Sequence, residues 1–178
     1  MTTVMNQGIL SWRGEFMALL AGMVLPLSFS PFHYSVIAIL SLSLLFVSWQ
    51  GVSAKKSALR GFLFGVGFFG VGVSWIYVAI HDFGSASMPL AGLLTALFIS
   101  FLALYIGFIA WGIKKLTTTH LTTLDFVLLL PVSWVVFEWF KGWFLTGFPW
   151  LEVGVGQING PLSGYTPVLG ALGVSLLT

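Results

Sequence analysis

The sequence contains no cysteine and very few charged residues. Only 7% of its 178 residues are Asp, Glu, Lys or Arg, whereas about a quarter of an ordinary soluble domain is charged. Without cysteine the chain can form no disulfide, no thiolate metal site and no cysteine nucleophile. The few Lys and Arg residues form no cluster that could neutralise a run of phosphates, which argues against nucleic acid as a partner. Because 58% of the residues are hydrophobic, most of the surface must face lipid.

Long apolar stretches predict an all-α fold, a polytopic bundle of transmembrane helices. A helix needs roughly 20 apolar residues to cross a hydrocarbon core of ~30 Å, and two of the stretches reach this length without any charge. We predict one N-terminal transmembrane domain over residues 1–178 with about six membrane segments: residues 14–30, 34–50, 58–80, 88–113, 122–141 and 163–178. The first two segments are short, so they form a tight hairpin that crosses a thinned bilayer or enters it only part-way.

The first and last segments raise questions about processing. Arg13 precedes the first segment, as in a cleaved signal peptide, but Pro26–Phe32 contains no small-x-small cleavage site. We therefore expect the first segment to be retained.

Pro131 interrupts the fifth segment, because proline lacks the backbone donor of a helix interior. The sixth is still apolar at Thr178, which is typical of a chain cut within a helix.

Basic residues are distributed unevenly between the two sides of the predicted bundle. Short cytoplasmic loops carry an excess of Lys and Arg. A cytoplasmic N-terminus places most of the basic residues inside: Arg13, Lys55, Lys56, Arg60, Lys114 and Lys115. Lys141 is then the only basic residue outside. The loops near residues 30–34, 81–88 and 142–164 also lie outside. The pattern predicts that the N-terminus is cytoplasmic.

Glycines recur along the third segment, at Gly61, Gly65, Gly67, Gly70 and Gly72. Small residues at such spacings let helix backbones approach closely in lipid. The same glycines could form a substrate groove. We favour helix packing as its role.

Glu138 and Lys141 are three residues apart near the outer end of the fifth segment, so the two side chains can pair on one helix face. A charge at membrane depth is costly and marks a candidate functional site. A structural ion pair that reaches up to the interface is the simpler interpretation. Both interpretations stay open from the sequence.

Aromatic residues concentrate where this helix must end, at Gly147-Phe148-Pro149-Trp150. Aromatics at a membrane interface usually form an anchoring belt, and a broken aromatic segment could also admit acyl chains. Residues at the predicted outer helix ends are therefore candidates for contact with lipid or substrate: Glu138, Lys141, Trp143, Gly147, Phe148, Pro149, Trp150, Trp75 and Tyr77.

Other residues with possible chemistry are isolated. His81 precedes Asp82, a weak candidate for an acid–base pair, and no histidine has the spacing of a metal ligand. Neither a Gly-x-Ser-x-Gly motif nor a phosphate-binding loop is present. From the residues alone no catalytic site can be assembled in this chain, and we predict neither a cofactor nor a metal.

Several motifs resemble those of the apolipoprotein N-acyltransferase family, in matching order along most of the sequence. The strongest is Glu138-x-x-Lys141-Gly142-Trp143-x-x-Thr146-Gly147-Phe148-Pro149-Trp150-Leu151. Others are Leu27–Phe32, Gly61–Gly70, Ser74–Val78, Phe83-Gly84, Gly154, Gln157, Gly160–Leu162 and Gly170–Ser175. The sequence departs from the family at Lys141, where arginine is usual, and at Val155-Gly156, where an aromatic and a hydroxyl residue are common.

The resemblance implies a bacterial inner-membrane enzyme of about eight helices with a periplasmic nitrilase-like domain. In that family a Glu–Lys–Cys triad takes an acyl chain from a phospholipid as a cysteine thioester and delivers it to the amino-terminal diacylglyceryl-cysteine of an apolipoprotein. The expected partners are membrane lipids, the phospholipid acyl donor and the apolipoprotein acceptor, and the full-length enzyme is expected to be a monomer with its active side in the periplasm.

On this reading the chain covers about the first third of such an enzyme, lacks the nitrilase-like domain and is inactive alone, with no catalytic residue of its own. The alternative is a small complete membrane protein, either a transporter or a scaffold. Transporters often show inverted repeats and broken helices at the midplane, whereas this sequence shows one break near the predicted outer face.

Overall fold

The structure is a computed structural model that describes residues 2–117 and 120–178, with side chains from residue 12 onward. Within these residues all regular structure is helical. The main helices are α1 (Thr2–Val24), α2 (Val36–Ser48), α3 (Ala54–Gly72), α4 (Trp75–Val78), α5 (Met88–Leu116), α6 (Leu130–Trp143) and α7 (Thr166–Leu177). Single 3-10 turns lie at Leu25–Ser28, Phe144–Thr146, Val153–Gln157 and Ser163–Tyr165, and π-helical turns at Ala79–Phe83 and Asp125–Leu129.

Helix α3 is the centre of the bundle, and its glycines allow α1 and α5 to approach it closely. A Cβ at Gly65 would lie 2.6 Å from the Cα of Ala103 in α5. On the other side, a Cβ at Gly67 would overlap the carbonyl oxygen of Leu19 in α1, and one at Gly22 would overlap that of Phe64. Gly61 likewise meets the backbone of Ile106 in α5, so the packing role is confirmed for Gly61, Gly65 and Gly67. A Cβ at Gly70 would meet no described neighbour within 4 Å.

The first two helices form the predicted hairpin. Ser41 of α2 donates a hydrogen bond from its hydroxyl to the carbonyl oxygen of Ala21 in α1, at 2.7 Å. The turn between the helices includes Leu25–Ser28, and Tyr34 N closes it on the Leu27 carbonyl oxygen at 3.0 Å. This bond between two apolar helices satisfies the Ser41 hydroxyl, for which lipid tails offer no hydrogen-bond partner.

Three helices deviate from the predicted segments. The segment predicted at 58–80 is two helices, Ala54–Gly72 and Trp75–Phe83, bent by 55°. Pro131 does not interrupt the fifth segment, because the wide π-helical turn Asp125–Leu129 leads into α6 and leaves the proline in its first turn. Gly170, with φ +66°, kinks α7.

Two of the described helices are long and apolar enough to cross a membrane, Met88–Leu116 and Asp125–Thr146. The bent pair Ala54–Gly72 and Trp75–Phe83 makes a third if it is one span. Val36–Ser48 and Ser163–Leu177 are apolar but shorter. Among the described residues, two helices, or three if the bent pair is one span, have the length and composition of a full span, whereas the sequence predicts about six membrane segments.

Polar side chains tie the helices together at the end that carries most of the basic residues. The buried guanidinium of Arg60 donates to the carbonyl oxygen of Ser48, and its charge interacts with Glu15 of α1. Gln50 exchanges two hydrogen bonds with the backbone of Leu121, at 3.2 and 2.7 Å. These contacts fix the α2–α3 and α5–α6 connections to each other.

Candidate functional site

The chain reverses direction after α6 in a segment that we call the outer loop, residues 144–165. Leu145, Thr146 and Leu151 have φ values of +50°, +77° and +59°. Left-handed backbone of this kind costs on the order of 1–3 kcal/mol per non-glycine residue and persists only where surrounding contacts fix it. Gly147, with φ +80° and ψ 153°, adopts a conformation that only glycine takes readily.

Glu138 holds the middle of this loop, at Val153. Its side chain is completely buried. The carboxylate oxygen Oε1 accepts hydrogen bonds from the indole Nε1 of Trp134 at 2.9 Å and from the backbone amide of Val153 at 2.7 Å. The hydroxyl of Ser175 in α7 is close enough to interact with the same carboxylate. The Ser175 hydroxyl also accepts a hydrogen bond from the backbone amide of Gly154 at 2.8 Å. Glu138 thus connects α6, α7 and the loop.

Lys141 fixes the part of the loop nearest the helix end. Its side chain is 2% exposed, and Nζ donates to the carbonyl oxygens of Phe148, at 3.0 Å, and of Trp150. The ammonium also lies 5.8 Å from the centroid of the Phe148 ring. In return, the amide of Phe148 donates to the carbonyl oxygen of Lys141 at 2.7 Å. These bonds fold the loop back onto α6.

The two residues therefore differ from the predicted ion pair. In the described part of the chain no contact of 4 Å or less joins the Glu138 carboxylate to the Lys141 ammonium, although the two charges interact at longer range. Both side chains are buried within the protein. The physical reason is that the Lys141 ammonium is turned to the loop carbonyl oxygens of Phe148 and Trp150, while Oε1 of Glu138 is turned to the indole of Trp134 and the amide of Val153. The second carboxylate oxygen, Oε2, is buried and has no hydrogen-bond partner among the described residues.

The outer loop lies beside the body of α5 rather than beyond its end. Phe148 packs edge-on against Phe98 of α5, with ring centroids 5.2 Å apart. Phe98 is ten residues into α5, which begins at Met88, or ~15 Å along the helix at 1.5 Å per residue. Non-helical backbone this far along an apolar helix is tolerated only where the protein itself satisfies its polar groups. Glu138 and Lys141 satisfy three of these groups, the amide of Val153 and the carbonyl oxygens of Phe148 and Trp150.

Three of the candidate aromatics form one continuous array on the loop. Trp150 stacks on Phe148, with centroids 5.3 Å apart and planes inclined by 22°, and its other neighbour is Trp75 at 6.3 Å. Pro149 lies between the two stacked residues in sequence. Trp75 and Trp150 are about half exposed. The array presents an accessible, mostly apolar surface beside the buried side chains of Glu138 and Lys141.

Trp143 belongs to a different cluster. It contacts Trp139, Phe140 and Phe144, with ring centroids 5.5, 5.5 and 6.2 Å away. Phe140 and Phe144 pack in turn on Tyr105 of α5. An apolar groove of about 370 Å³ lies between α5 and α6 at this cluster. Tyr77 joins neither group, since its ring neighbour is His81 at 5.6 Å.

Gln157 and Asn159 make contacts that the sequence motifs did not predict. Gln157 is fully buried and its side-chain amide donates to the carbonyl oxygen of Ser35 at 3.2 Å. The side-chain nitrogen Nδ2 of Asn159 lies 3.1 Å from the ring nitrogen Nδ1 of His33. Both tie the outer loop to the α1–α2 turn. A polar amide at Gln157 between apolar and glycine residues is the signal that could have indicated this contact.

The arrangement can bind apolar chains but offers little acid–base or metal chemistry. His81 Nε2 and Asp82 Oδ1 are 3.8 Å apart on the surface. Among the described residues no group of three or more His, Asp or Glu side chains could hold a metal ion. The outer loop is therefore a candidate binding surface, with Trp75, Phe148 and Trp150 as its contact residues and Glu138 and Lys141 as its supports.

Comparison with known proteins agrees with the motifs. A family profile described as the apolipoprotein N-acyltransferase N-terminal domain matches residues 21–178. Proteins named apolipoprotein N-acyltransferase are 44% identical over 161 residues in Coxiella burnetii, 43% over 166 in Methylococcus capsulatus and 43% over 159 in Pseudomonas aeruginosa. These matches cover 90%, 93% and 89% of this chain and 33%, 32% and 31% of the relatives.

The chain thus spans about a third of the length of the curated relatives that it matches. The profile covers the outer loop, α6 and all the candidate site residues. The chain belongs to the apolipoprotein N-acyltransferase family, within its N-terminal domain.

Proposed function

We propose that this chain is the membrane part of an enzyme that transfers an acyl chain from a phospholipid to the amino-terminal diacylglyceryl-cysteine of apolipoproteins. A cysteine thioester would carry the acyl chain, as the family resemblance implies. Because the sequence contains no cysteine, the nucleophile would belong to a nitrilase-like domain outside these 178 residues. Relatives that bear the enzyme's name and are about three times as long support this division.

The observation that carries the proposal is the supported aromatic array. Phe148, Trp150 and Trp75 present apolar rings beside α5, and the loop that bears two of them is held by Glu138 and Lys141. An acyl chain needs an apolar surface, and a transfer reaction needs that surface in a fixed position. In this role the array would contact the phospholipid donor, while Glu138 and Lys141 would be positioning residues.

The proposal includes an orientation in the membrane. The N-terminus would be cytoplasmic and all six segments would enter the bacterial inner membrane, with the outer loop on the periplasmic side. The excess of basic residues at the opposite end supports this orientation. The short helices α2 and α7 would complete the set of segments next to α1 and α6. The full-length enzyme would act as a monomer on membrane lipids and apolipoproteins.

A chimera tests the proposal. This chain replaces the matching third of the Pseudomonas aeruginosa relative, and the chimera is the only such enzyme in a strain whose own gene can be shut off. Mass spectrometry of a lipoprotein's amino-terminal peptide then shows whether the third acyl chain is present. We expect the mass of one added acyl chain.

The chain alone, expressed without the rest of the relative, is the matched control and is expected to add none. A correctly inserted chimera that leaves the lipoprotein diacylated would overturn the proposal. Acylation by the isolated chain would overturn the assignment of the nucleophile to another domain.

A further inference from the structure

A second apolar groove lies between α3 and α5, at the end of the bundle opposite the outer loop. Its volume is about 360 Å³, and it is lined by Ala58, Leu59 and Phe62 of α3 and by Gly107, Phe108 and Trp111 of α5. Leu59, Phe108 and Trp111 are 44%, 66% and 45% exposed. With Leu104 at its inner end the groove runs ~10 Å along α5, about two-thirds of the ~15 Å thickness of one leaflet.

Two exposed lysines stand at the polar end of this groove. Lys55 precedes Ala58 and Leu59 by three and four residues, and Lys115 follows Trp111 by four. Residues three or four apart on a helix share one face, so both ammonium groups extend the groove towards water. The Lys115 ammonium lies 5.8 Å from the centroid of the Trp111 ring. An apolar trough thus ends in two positive charges.

We propose that this groove binds one anionic phospholipid, with an acyl chain along α3 and α5 and the headgroup phosphate between Lys55 and Lys115. Neutral lipid would satisfy the groove but not the lysines, and a soluble anion would satisfy the lysines but not the groove. Basic sites between transmembrane helices on the cytoplasmic side suit anionic headgroups. The first turn of α3 adds its helix dipole, which also favours an anion. The site is separate from the outer loop and does not depend on acyl transfer.

Lipid titration of the purified chain, followed by native mass spectrometry, tests the proposal. Phosphatidylglycerol and phosphatidylcholine with identical acyl chains are the probes. Each lysine near an anionic surface strengthens binding by about fivefold, and two by about twenty-five-fold. We therefore expect one phosphatidylglycerol to bind roughly twenty-five-fold more tightly than phosphatidylcholine, and the double variant Lys55→Gln, Lys115→Gln to remove this preference.

Lys56→Gln is the matched control. It removes the same charge from the same helical turn, but Lys56 lies about 100° around α3 from Lys55 and away from the groove face. Its preference for phosphatidylglycerol should stay within about twofold of the wild-type value. An equal loss in Lys56→Gln, or no loss in the double variant, would overturn the proposal. A dimer that competes with lipid would assign the groove to a second copy of the chain and overturn it as well.

A fluorescence measurement keeps the proposal testable if the double variant is unstable. Phosphatidylglycerol with brominated acyl chains quenches nearby indoles. The difference between the wild-type chain and Trp111→Phe isolates the signal of Trp111, which lines the groove. Quenching of Trp111 at several-fold lower concentration by brominated phosphatidylglycerol than by brominated phosphatidylcholine is expected. Equal quenching by the two lipids would contradict the site.

Discussion

Glu138 and Lys141 are charged side chains inside a lipid-facing bundle, and both bind the backbone of the outer loop. Together they satisfy the carbonyls of Phe148 and Trp150 and the amide of Val153. An unsatisfied backbone group in an apolar setting costs about 1–3 kcal/mol. The charges are therefore needed where the chain leaves helical geometry at the depth of Phe98. Their role is structural support for the aromatic array.

Substitution of Lys141 should separate this role from simple charge. Lys141→Arg keeps the donors and the charge, and we expect a change in stability below about 1 kcal/mol. Lys141→Met removes the two hydrogen bonds from the ammonium to the carbonyl oxygens of Phe148 and Trp150, which together should cost about 3–5 kcal/mol because hydrogen bonds to charged groups are strong. The melting temperature of the detergent-solubilised chain should then fall by roughly 6–20 °C. Lys115→Met, at an exposed position, is the control and should change little. A small effect of Lys141→Met would contradict the proposed contacts.

Gly147 and Gly142 form a second informative pair. A Cβ at Gly147 would overlap the carbonyl oxygen of Gly142, and its backbone is in a region that side chains disfavour. We expect Gly147→Ala to destabilise the chain by about 1–3 kcal/mol. At Gly142, within α6, no described atom lies within 4 Å of a built Cβ, so Gly142→Ala should be neutral or stabilise by up to ~1 kcal/mol. Equal melting temperatures for the two variants would refute the loop conformation.

The sequence predicted these residues better than it predicted their partners. A charge within an apolar helix identified Glu138 and Lys141, and the Gly-Phe-Pro-Trp run identified the break. Their i, i+3 spacing suggested an ion pair, because helical spacing is the only geometry that sequence provides directly. The contact between Glu138 and Val153 depends on the left-handed residues between them, and no periodicity encodes that path.

At the scale of helices, the packing of α3 against α1 and α5 follows from the absence of side chains at particular positions. Gly65 faces the backbone of Ala103, and Gly67 faces that of Leu19. The spacing of glycines predicted close approach, and the structure confirms it. The 55° bend between α3 and α4 was not predicted, because the apolar run continues through it without proline. The bend directs Trp75 towards Trp150.

A comparison of two glycines on neighbouring helices tests this packing. Gly65→Val places bulk against α5 and should destabilise the chain by about 1–3 kcal/mol through overpacking. Gly92→Val in α5 is the control, because within the described residues nothing lies within 4 Å of a Cβ there. Melting temperature and the monodisperse fraction on size exclusion report the difference. If Gly92→Val were the more harmful change, the packing of α3 against α5 would be wrong.

For the whole molecule, the order of the motifs predicted the family, whereas the apolar stretches predicted the lengths of the helices less well. Residues 21–178 match one family profile, as the motifs implied. Among the described residues two to three helices are long enough to span, while α2 and α7 are shorter. The orientation of the helices in the membrane is a prediction from the distribution of basic residues.

The absence of native cysteine makes the orientation easy to measure. Ser87→Cys and Leu116→Cys lie at opposite ends of α5 and are both exposed. We expect a membrane-impermeant maleimide to label Ser87→Cys in cells with a permeabilised outer membrane, and Leu116→Cys only after the inner membrane is lysed. The cysteine-free chain gives the background. The reverse pattern would invert the proposed topology, and labelling of both in unlysed cells would show that α5 does not span.

The central claim is that the outer loop, held by two buried charges, is the positioned surface on which acyl transfer depends. The rate of acyl transfer by the chimera, compared between Lys141→Arg and Lys141→Met at equal amounts of inserted protein, tests it directly. Because a displacement of about 1 Å can lower a rate about a hundredfold, we predict a rate within about threefold of the wild-type chimera for Lys141→Arg and at least a tenfold lower rate for Lys141→Met. A Lys141→Met chimera as active as the wild type would contradict the account.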